Sequence, residues 1–392
     1  MQKRHQAITR PILAAALCLM ILLTMNTTVW AVDLNQPNSL TVTSVASTSE
    51  YREDVAEANV VIDLYLLATA VPVTGIDSYG YRFDPESAYS AITIGDISMD
   101  VLDTGNVSLA GEQWNDLAQQ AAAIARQGAY KVVESVPTGQ KISGLTAGLY
   151  LIIAHGEGIT DYWTTREDEY GRQQIITVAE TESYTYAFAP SVIALPTKNA
   201  ATDANGDVII NEAGMPDINT ADSYGDWIYD ASASLKPTVT PRYGGLTVVK
   251  TIDQFKGDEE VTFVFRVTAS APEGKVFPDD PDYSYSNVVA VAFNASTGLS
   301  TTAVVDRIRA GAAVSVEEIY TGLRYKAGTM TAPESNIVVP GSTDALVFTA
   351  NNTFDNDTSG GHGIQNHFTL VEGRDGNSWN AVQQTAASGL NR

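Results

Sequence analysis

Cysteine and histidine are scarce in this 392-residue chain, which contains one cysteine and four histidines. The cysteine, Cys18, lies in an apolar N-terminal run that we expect to be removed on export. The exported chain would then have no disulfide and would need another source of rigidity. No histidine and cysteine cluster is available for a zinc site.

Positive charge is also scarce, because 23 Lys and Arg residues face 46 Asp and Glu residues, a formal net charge of -23. An acidic surface repels nucleic acid and anionic lipid, so we expect no nucleic-acid partner. The chain has no Gly-Lys-Ser/Thr phosphate loop and no Gly-x-Ser-x-Gly elbow. We therefore expect no enzyme activity and no cofactor.

No metal site is expected either. Residues Asp203 to Asp207, with Glu212, alternate oxygen ligands like the start of a calcium loop. The glycine at the sixth position is missing, and the glutamate falls at the tenth position, not the twelfth. A hairpin turn around Asn205 and Gly206 is the preferred interpretation.

The first 31 residues have the three parts of a secretory signal peptide. Basic residues precede an apolar run over 11–23, and Val29-Trp30-Ala31 follows as a cleavage site. We expect cleavage after Ala31 and a mature N-terminus at Val32. No later run is apolar enough to span a membrane, so the sequence predicts an extracellular protein, either secreted or associated with the cell surface.

Most of the remaining chain alternates apolar and polar residues, as in Val261 to Val267, which predicts strands. One helix is predicted between Leu109 and Gln127, ending at Gly128. We expect a mainly β fold of two β-sandwich domains in tandem, the first with the added helix. The predicted domains are 32–236 and 245–392, with a C-terminal extension, joined by a Pro- and Gly-rich linker over 237–244.

A weak internal repeat supports two copies of one sandwich. Residues 40–44 match residues 246–250, and residues 145–153 match residues 308–316. In the second copy, the two-residue period of a strand places three polar side chains on faces that should be buried. Lys250, Glu318 and Asn352 would point into one core from three separate strands.

The second half of the chain resembles the collagen-adhesin B-type (CnaB) domain of Gram-positive surface proteins and pilins. The resemblance lies in Leu246-Thr-Val-Val-Lys250, Val314-Ser-Val-Glu-Glu318 and Phe348-Thr-Ala-Asn-Asn-Thr-Phe354. The first half is similar to the N-terminal domain of such pilins, though less closely. The segment Phe348 to Phe354, which would be the closing strand, has one or two residues more than the closing strand of the family. Asn351 is therefore an alternative to Asn352 at the matching position. An Ig-like, CnaB-type sandwich is implied.

The resemblance implies an intramolecular isopeptide bond between Lys250 and Asn352, with Glu318 polarising the amide carbonyl and moving protons. Such a bond would tie the first strand to the last and supply the missing rigidity. The alternative is that Lys250 and Glu318 form an ordinary ion pair, or that Lys250 reaches solvent. In the first domain Ser44 and His155 take the positions of Lys250 and Glu318, so no such bond is expected there.

Two features of the family are absent: a Leu-Pro-x-Thr-Gly sorting signal and a Tyr-Pro-Lys motif. Lys236 lies about where pilins have their cross-linking lysine and is a candidate for an intermolecular link. The sequence therefore predicts a pilin-like or stalk subunit that associates with other surface subunits, by an attachment route that stays open. The alternative is an adhesin whose first domain binds a host protein or glycan.

Overall fold

The computed structural model describes residues 32–44, 51–73, 78–94, 97–98, 111–198, 227–256, 260–355, 366–373 and 376–383. These residues form a mainly β protein, as the sequence predicts. They divide into two compact units. Of the described residues, the first unit takes those in 32–45, 60–178 and 188–236, and the second takes those in 46–59, in 179–187 and from 237 onward.

Two larger sheets and several short strand pairs make up the first unit. The strands are β1 (Asn38–Ser44), β2 (Val60–Pro72), β3 (Tyr79–Arg82), β4 (Thr93–Ile94), β5 (Ile97–Ser98), β6 (Val133–Pro137), β7 (Lys141–Leu145), β8 (Gly148–Gly156), β9 (Trp163–Glu167), β10 (Gln173–Glu180, the last two residues of which belong to the second unit), β12 (Ser191–Leu195), β13 (Thr197–Lys198), β14 (Trp227–Ile228) and β15 (Asp230–Leu235). One sheet has the order β15-β1-β7. The other has the order β12-β8-β2-β3, with β6 also paired to β2.

The predicted helix is present in the first unit as helix α2 (Gly111–Ala125). Its buried stripe, which includes Leu117 and Ala121, packs on β8 residues such as Leu151 and Ile153. Gly128 has a φ of +94°, a left-handed conformation that a glycine adopts without strain at the end of a helix. This packing gives the first unit a core of its own.

The second unit begins with a short helix, α1 (Arg52–Glu57), and continues after residue 178. Its strands are β11 (Tyr184–Phe188, the last residue of which belongs to the first unit), β16 (Thr238–Pro241), β17 (Tyr243–Ile252), β18 (Val261–Ser270), β19 (Ser284–Phe293), β20 (Ser300–Arg309), β21 (Ala313–Tyr320), β22 (Tyr325–Thr331), β23 (Val347–Phe354), β24 (Asn366–Gly373) and β25 (Gly376–Gln383). The segment expected as a linker over 237–244 thus includes β16 and the start of β17.

Two sheets face each other across the core of the second unit. Their orders are β20-β17-β23-β22 and β19-β18-β21. Val261 is only partly buried and Val264 on the opposite face of β18 is buried as well, but the rest of the predicted face, Phe263, Phe265 and Val267, is fully buried. They pack against Leu246 and Val248 of the opposite sheet. Burial on this scale is the main stabilising term for a sandwich of this size.

The two units share one strand arrangement, which accounts for the sequence repeat. In each unit one sheet has its earliest strand parallel to its latest strand, β1 to β15 in the first unit and β17 to β23 in the second. Each of these earliest strands is also antiparallel to a second neighbour, β7 or β20. In the described part of the chain, no helix is long and apolar enough to cross a membrane.

Candidate functional site

Lys250 lies near the end of β17, on the same face as Leu246 and Val248. All three side chains have no exposed surface. A lysine is almost never fully buried unless it is paired. The alternation of β17 therefore forces Lys250 into the core, as the sequence predicts.

Glu318 and Asn352 reach the same point from the two facing sheets. Glu318 lies on β21, and its side chain is 8% exposed, whereas Asn352 on β23 is fully buried. Oε1 of Glu318 is 3.0 Å from Nζ of Lys250. The same oxygen accepts a hydrogen bond of 2.8 Å from Nδ2 of Asn352. One carboxylate oxygen therefore contacts both nitrogen atoms, which lie no farther apart than the sum of these two distances.

The surroundings of Lys250 disfavour its charge. Burial lowers the pKa of Lys250, although the nearby Glu318 carboxylate opposes the effect. Phe263 and Phe265 flank the ammonium, with ring centroids 4.6 and 5.8 Å from Nζ. Among the described residues, Nζ has no hydrogen-bond partner of good geometry. A buried amine of this kind has an enlarged neutral fraction and is a stronger nucleophile.

The orientation of the Asn352 amide is fixed by its two main-chain contacts. Nδ2 donates to the carbonyl oxygen of Thr321 at 3.2 Å, and Oδ1 accepts from the N–H of Gly328 at 3.4 Å. A carbonyl can only accept and an N–H can only donate, so the reverse orientation would break both contacts. Glu318 therefore lies beside the amide nitrogen. The resemblance described above had implied a position beside the carbonyl oxygen.

The rival residues point away from this cluster. Asn351 is exposed, and its Oδ1 accepts from the Thr251 hydroxyl at 3.2 Å. The side chain of Glu317 is 66% exposed and pairs with Arg266. The geometry thus selects Asn352 over Asn351. Lys236 lies on the surface, where a lysine is usual.

The first unit brings a different set of residues together around His155, which is buried in β8. Nε2 of His155 lies 3.2 Å from Oδ2 of the fully buried Asp63, and its ring stacks on Tyr162 at 3.7 Å. Nζ of Lys131 is 2.9 Å from the same Asp63 oxygen. Ser44, the counterpart of Lys250, is in β1, on the other sheet of the unit.

The functional residues predicted from the sequence do not include Asp63, although its position in the sequence is unusual. It interrupts an apolar run, Val60-Val-Ile-Asp-Leu-Tyr-Leu66 followed by Leu67, in a strand that is buried throughout this region. Burial alone would raise the pKa of Asp63, but hydrogen bonds from His155, Lys131 and the N–H of Ser135 outweigh it and leave the pKa lowered. Asp63 is therefore an ionised group held by a built network.

No metal centre appears among the residues that the structure describes, since none of their His, Cys, Asp and Glu side chains form groups of three that could hold an ion. The acidic segment with Asp203, Asp207 and Glu212 lies outside the described residues. The signal segment before Val32 lies outside them too.

No family model matches the chain, and no curated protein matches it. Solved structures that match the chain include the Bacillus anthracis TIE protein, at 9% identity and a TM-score of 0.26, over 89% of this chain and 42% of that one. The major pilin from Streptococcus pyogenes matches at 10% identity and a TM-score of 0.17, over 81% and 97% of the two chains. A C-terminal fragment of the pilus adhesin SpaC from Lactobacillus rhamnosus GG matches at 8% identity and a TM-score of 0.21, over 81% and 98%.

Proposed function

We propose that this chain is a structural subunit of a cell-surface assembly, pilin-like or stalk-like, whose second unit is locked by an amide bond between Lys250 and Asn352. One observation carries the proposal: a fully buried lysine and a fully buried asparagine contact the same oxygen of Glu318. In an ordinary ion pair Asn352 would only be a buried amide with satisfied hydrogen bonds, whereas the bond uses the contact that Glu318 makes with both nitrogen atoms. A protein exported without disulfides gains rigidity from such a cross-link.

Glu318 is positioned to serve both nitrogen atoms of this reaction. The neutral amine of Lys250 attacks Cγ of Asn352, and its surplus proton passes to the carboxylate. The carboxylate returns a proton to Nδ2, the Cγ–Nδ2 bond breaks, and ammonia leaves. The products are one secondary amide and one ammonia, and Glu318 ends as it began. The reaction is a single self-modification and needs neither metal nor cofactor.

The test of this function is the intact mass of the mature protein. We expect a mass lower than that of residues 32–392 by one ammonia, and a branched tryptic peptide that joins the Lys250 and Asn352 segments. A full sequence mass would mean that Lys250 and Glu318 form an ion pair only. Surface location has its own test, since protein recovered from the cell surface or medium should begin at Val32. A chain that still begins at Met1 would contradict export.

A second candidate function, adhesion through the first unit, is favoured by a cleft in that unit. The cleft has a volume of about 710 Å³ and is lined mostly by apolar side chains, among them Leu66, Phe83 and Val132. Tyr130 at its rim is 84% exposed. An exposed aromatic residue beside an apolar cleft suits recognition of a protein segment or of a glycan.

The two candidate functions are distinguished by binding assays on the full mature chain. An adhesin should bind one protein of a host-matrix panel, and Tyr130→Ala should weaken that binding at least tenfold without altering the fold. Tyr170→Ala is the matched control, because Tyr170 is 73% exposed but does not line the cleft. Binding to a glycan array alone would favour a sugar ligand, and no binding at all would favour the purely structural function.

A further inference from the structure

The backbone N–H of Gly328 lies over the carbonyl oxygen of the Asn352 side chain. Gly328 is in β22, next to β23, and its N–H donates to Oδ1 at 3.4 Å. The pairing of these strands shifts between Ala327 and Met330, so β22 has one extra residue at this point. Such a bulge redirects the backbone locally and turns an N–H out of the regular ladder. Here the N–H is aimed at the amide group that would react.

The position accepts only a glycine without rearrangement. A Cβ atom at Gly328 would lie 2.3 Å from the main-chain oxygen of Asn351, which is closer than real Cβ contacts allow. Because that oxygen belongs to the backbone of β23, one of the two strands would have to move. The glycine thus permits the close approach of β22 that brings its N–H to Asn352.

We infer that the Gly328 N–H is the oxyanion donor for attack of Lys250 on Asn352, an inference that rests on the proposed bond. As Nζ bonds to Cγ, the π electrons of the carbonyl move onto Oδ1, which becomes negatively charged. Glu318 contacts only the nitrogen side, so it handles the proton that moves from Nζ to Nδ2. The electron pair then returns from Oδ1, and ammonia leaves. The contact of 3.4 Å shortens as the oxygen gains charge, because hydrogen bonds to charged acceptors are shorter and stronger.

The carbonyl oxygen of Thr321 completes the assignment of roles. It accepts from Nδ2 at 3.2 Å and cannot donate. It therefore binds one hydrogen of the leaving nitrogen, Glu318 accepts the other, and the amide oxygen faces Gly328. The amide is held at both ends before the reaction begins, which is the pre-organisation that an oxyanion site requires.

The experiment measures the rate of bond formation in the full mature chain. A chain assembled by peptide ligation in denaturant has not folded and has not reacted; dilution starts folding, which circular dichroism follows, and mass spectrometry follows the loss of ammonia with time. In Gly328→Ala the strand shift displaces the N–H, so we expect the rate to fall by about a hundredfold, as when an oxyanion donor is lost. A main-chain ester at position 328, which replaces the N–H by an oxygen and adds no Cβ, should slow the reaction similarly without the clash.

Gly244→Ala is the matched control. A Cβ at Gly244 would lie 2.0 Å from the main-chain oxygen of Val339, a comparable clash in the same unit. It should lower stability in a Lys250→Ala background as Gly328→Ala does, yet leave the reaction rate close to that of the parent. Equal rates for the parent, Gly328→Ala and the ester would overturn the role of Gly328 alone. A parent that loses no ammonia would overturn the proposed bond and this inference together.

Discussion

Lys250 and Asn352 lie on adjacent parallel strands, and the register places Asn352 opposite Ile252, two residues beyond Lys250. Residues two apart share a face of a strand, so both polar side chains enter the same core. The strands come from the two ends of the second sandwich. A covalent link between them would close nearly all of the two facing sheets into one loop, and a longer loop restricts the unfolded chain more.

Replacement of Lys250 should remove the stabilisation that the cross-link provides. Closing a loop of about a hundred residues is worth roughly 4–5 kcal/mol in the chain-entropy model, so Lys250→Ala should lower the free energy of unfolding by about that amount. It should also restore the full sequence mass. Asn352→Ala should do the same, and the double variant should lose little more. Asn351→Ala is the control, because that exposed side chain should leave mass and stability unchanged.

Glu318→Ala should leave both bonding residues in place and still prevent the bond. Without the carboxylate, no group contacts both nitrogen atoms to move the proton. We expect the full sequence mass after folding and a rate of ammonia loss at least about a hundredfold slower than in the parent. Glu317→Ala should react normally, since its side chain faces solvent beside Arg266. Normal reaction of Glu318→Ala would place the proton carrier elsewhere.

The sequence was sufficient for the strand pattern and for the three buried polar residues, because both follow from the two-residue period of a strand. Lys250, Glu318 and Asn352 each break an apolar face, and such a break can be seen in one dimension. The choice between Asn351 and Asn352 needed the register of β17 against β23. A closing segment with extra residues leaves that register open until the sheet is built.

The contacts made by main-chain atoms could not be predicted. The N–H of Gly328 reaches Asn352 only because β22 bulges, and a bulge depends on how two strands pair. Likewise, the sequence placed Glu318 beside the amide carbonyl, whereas the structure has it beside the nitrogen. Side-chain direction within a core depends on packing from all sides, which periodicity does not describe.

In the first unit, the network around Asp63 should make the free energy of unfolding depend on pH in the acidic range. Because the pKa of Asp63 is lowered in the folded state, its ionised carboxylate stabilises the fold fully at a pH above the unfolded pKa of about 3.9. This stabilisation is lost as the pH falls through the pKa of the folded state. Breaking such a buried pair costs up to about 3–5 kcal/mol, so Asp63→Asn should be markedly less stable than the parent at about pH 6. The difference should shrink towards about pH 3.

Urea unfolding followed by tryptophan fluorescence would measure this effect. In a Trp379→Phe background, the tryptophans that remain after residue 31 are Trp114, Trp163 and Trp227, all of the first unit. Asp161→Asn is the control, since Asp161 is exposed and its replacement should change little at either pH. A gap between parent and Asp63→Asn that stays constant across this pH range would show that the Asp63 charge contributes nothing.

Arg309 should be the most sensitive charged residue of the second unit outside the reacting cluster. It is 2% exposed, and its guanidinium donates to both oxygens of Asp279, at 2.5 and 2.7 Å. It also lies 4.7 Å from the ring centroids of Tyr184 and Phe277. Arg309→Ala leaves Asp279 unpaired and removes both ring contacts, so it should cost about 3–5 kcal/mol.

The geometry of this pair can be tested by Arg309→Lys, which should recover only a minor part of the loss, because an ammonium cannot bind both oxygens in one plane. Calorimetry in a Lys250→Ala background would measure these losses of stability in a protein that cannot form the cross-link. Arg266→Ala, which removes an exposed pair, should cost less than about 1 kcal/mol and serves as the control. Similar losses for Arg309→Ala and Arg266→Ala would contradict a stabilising role for the buried pair.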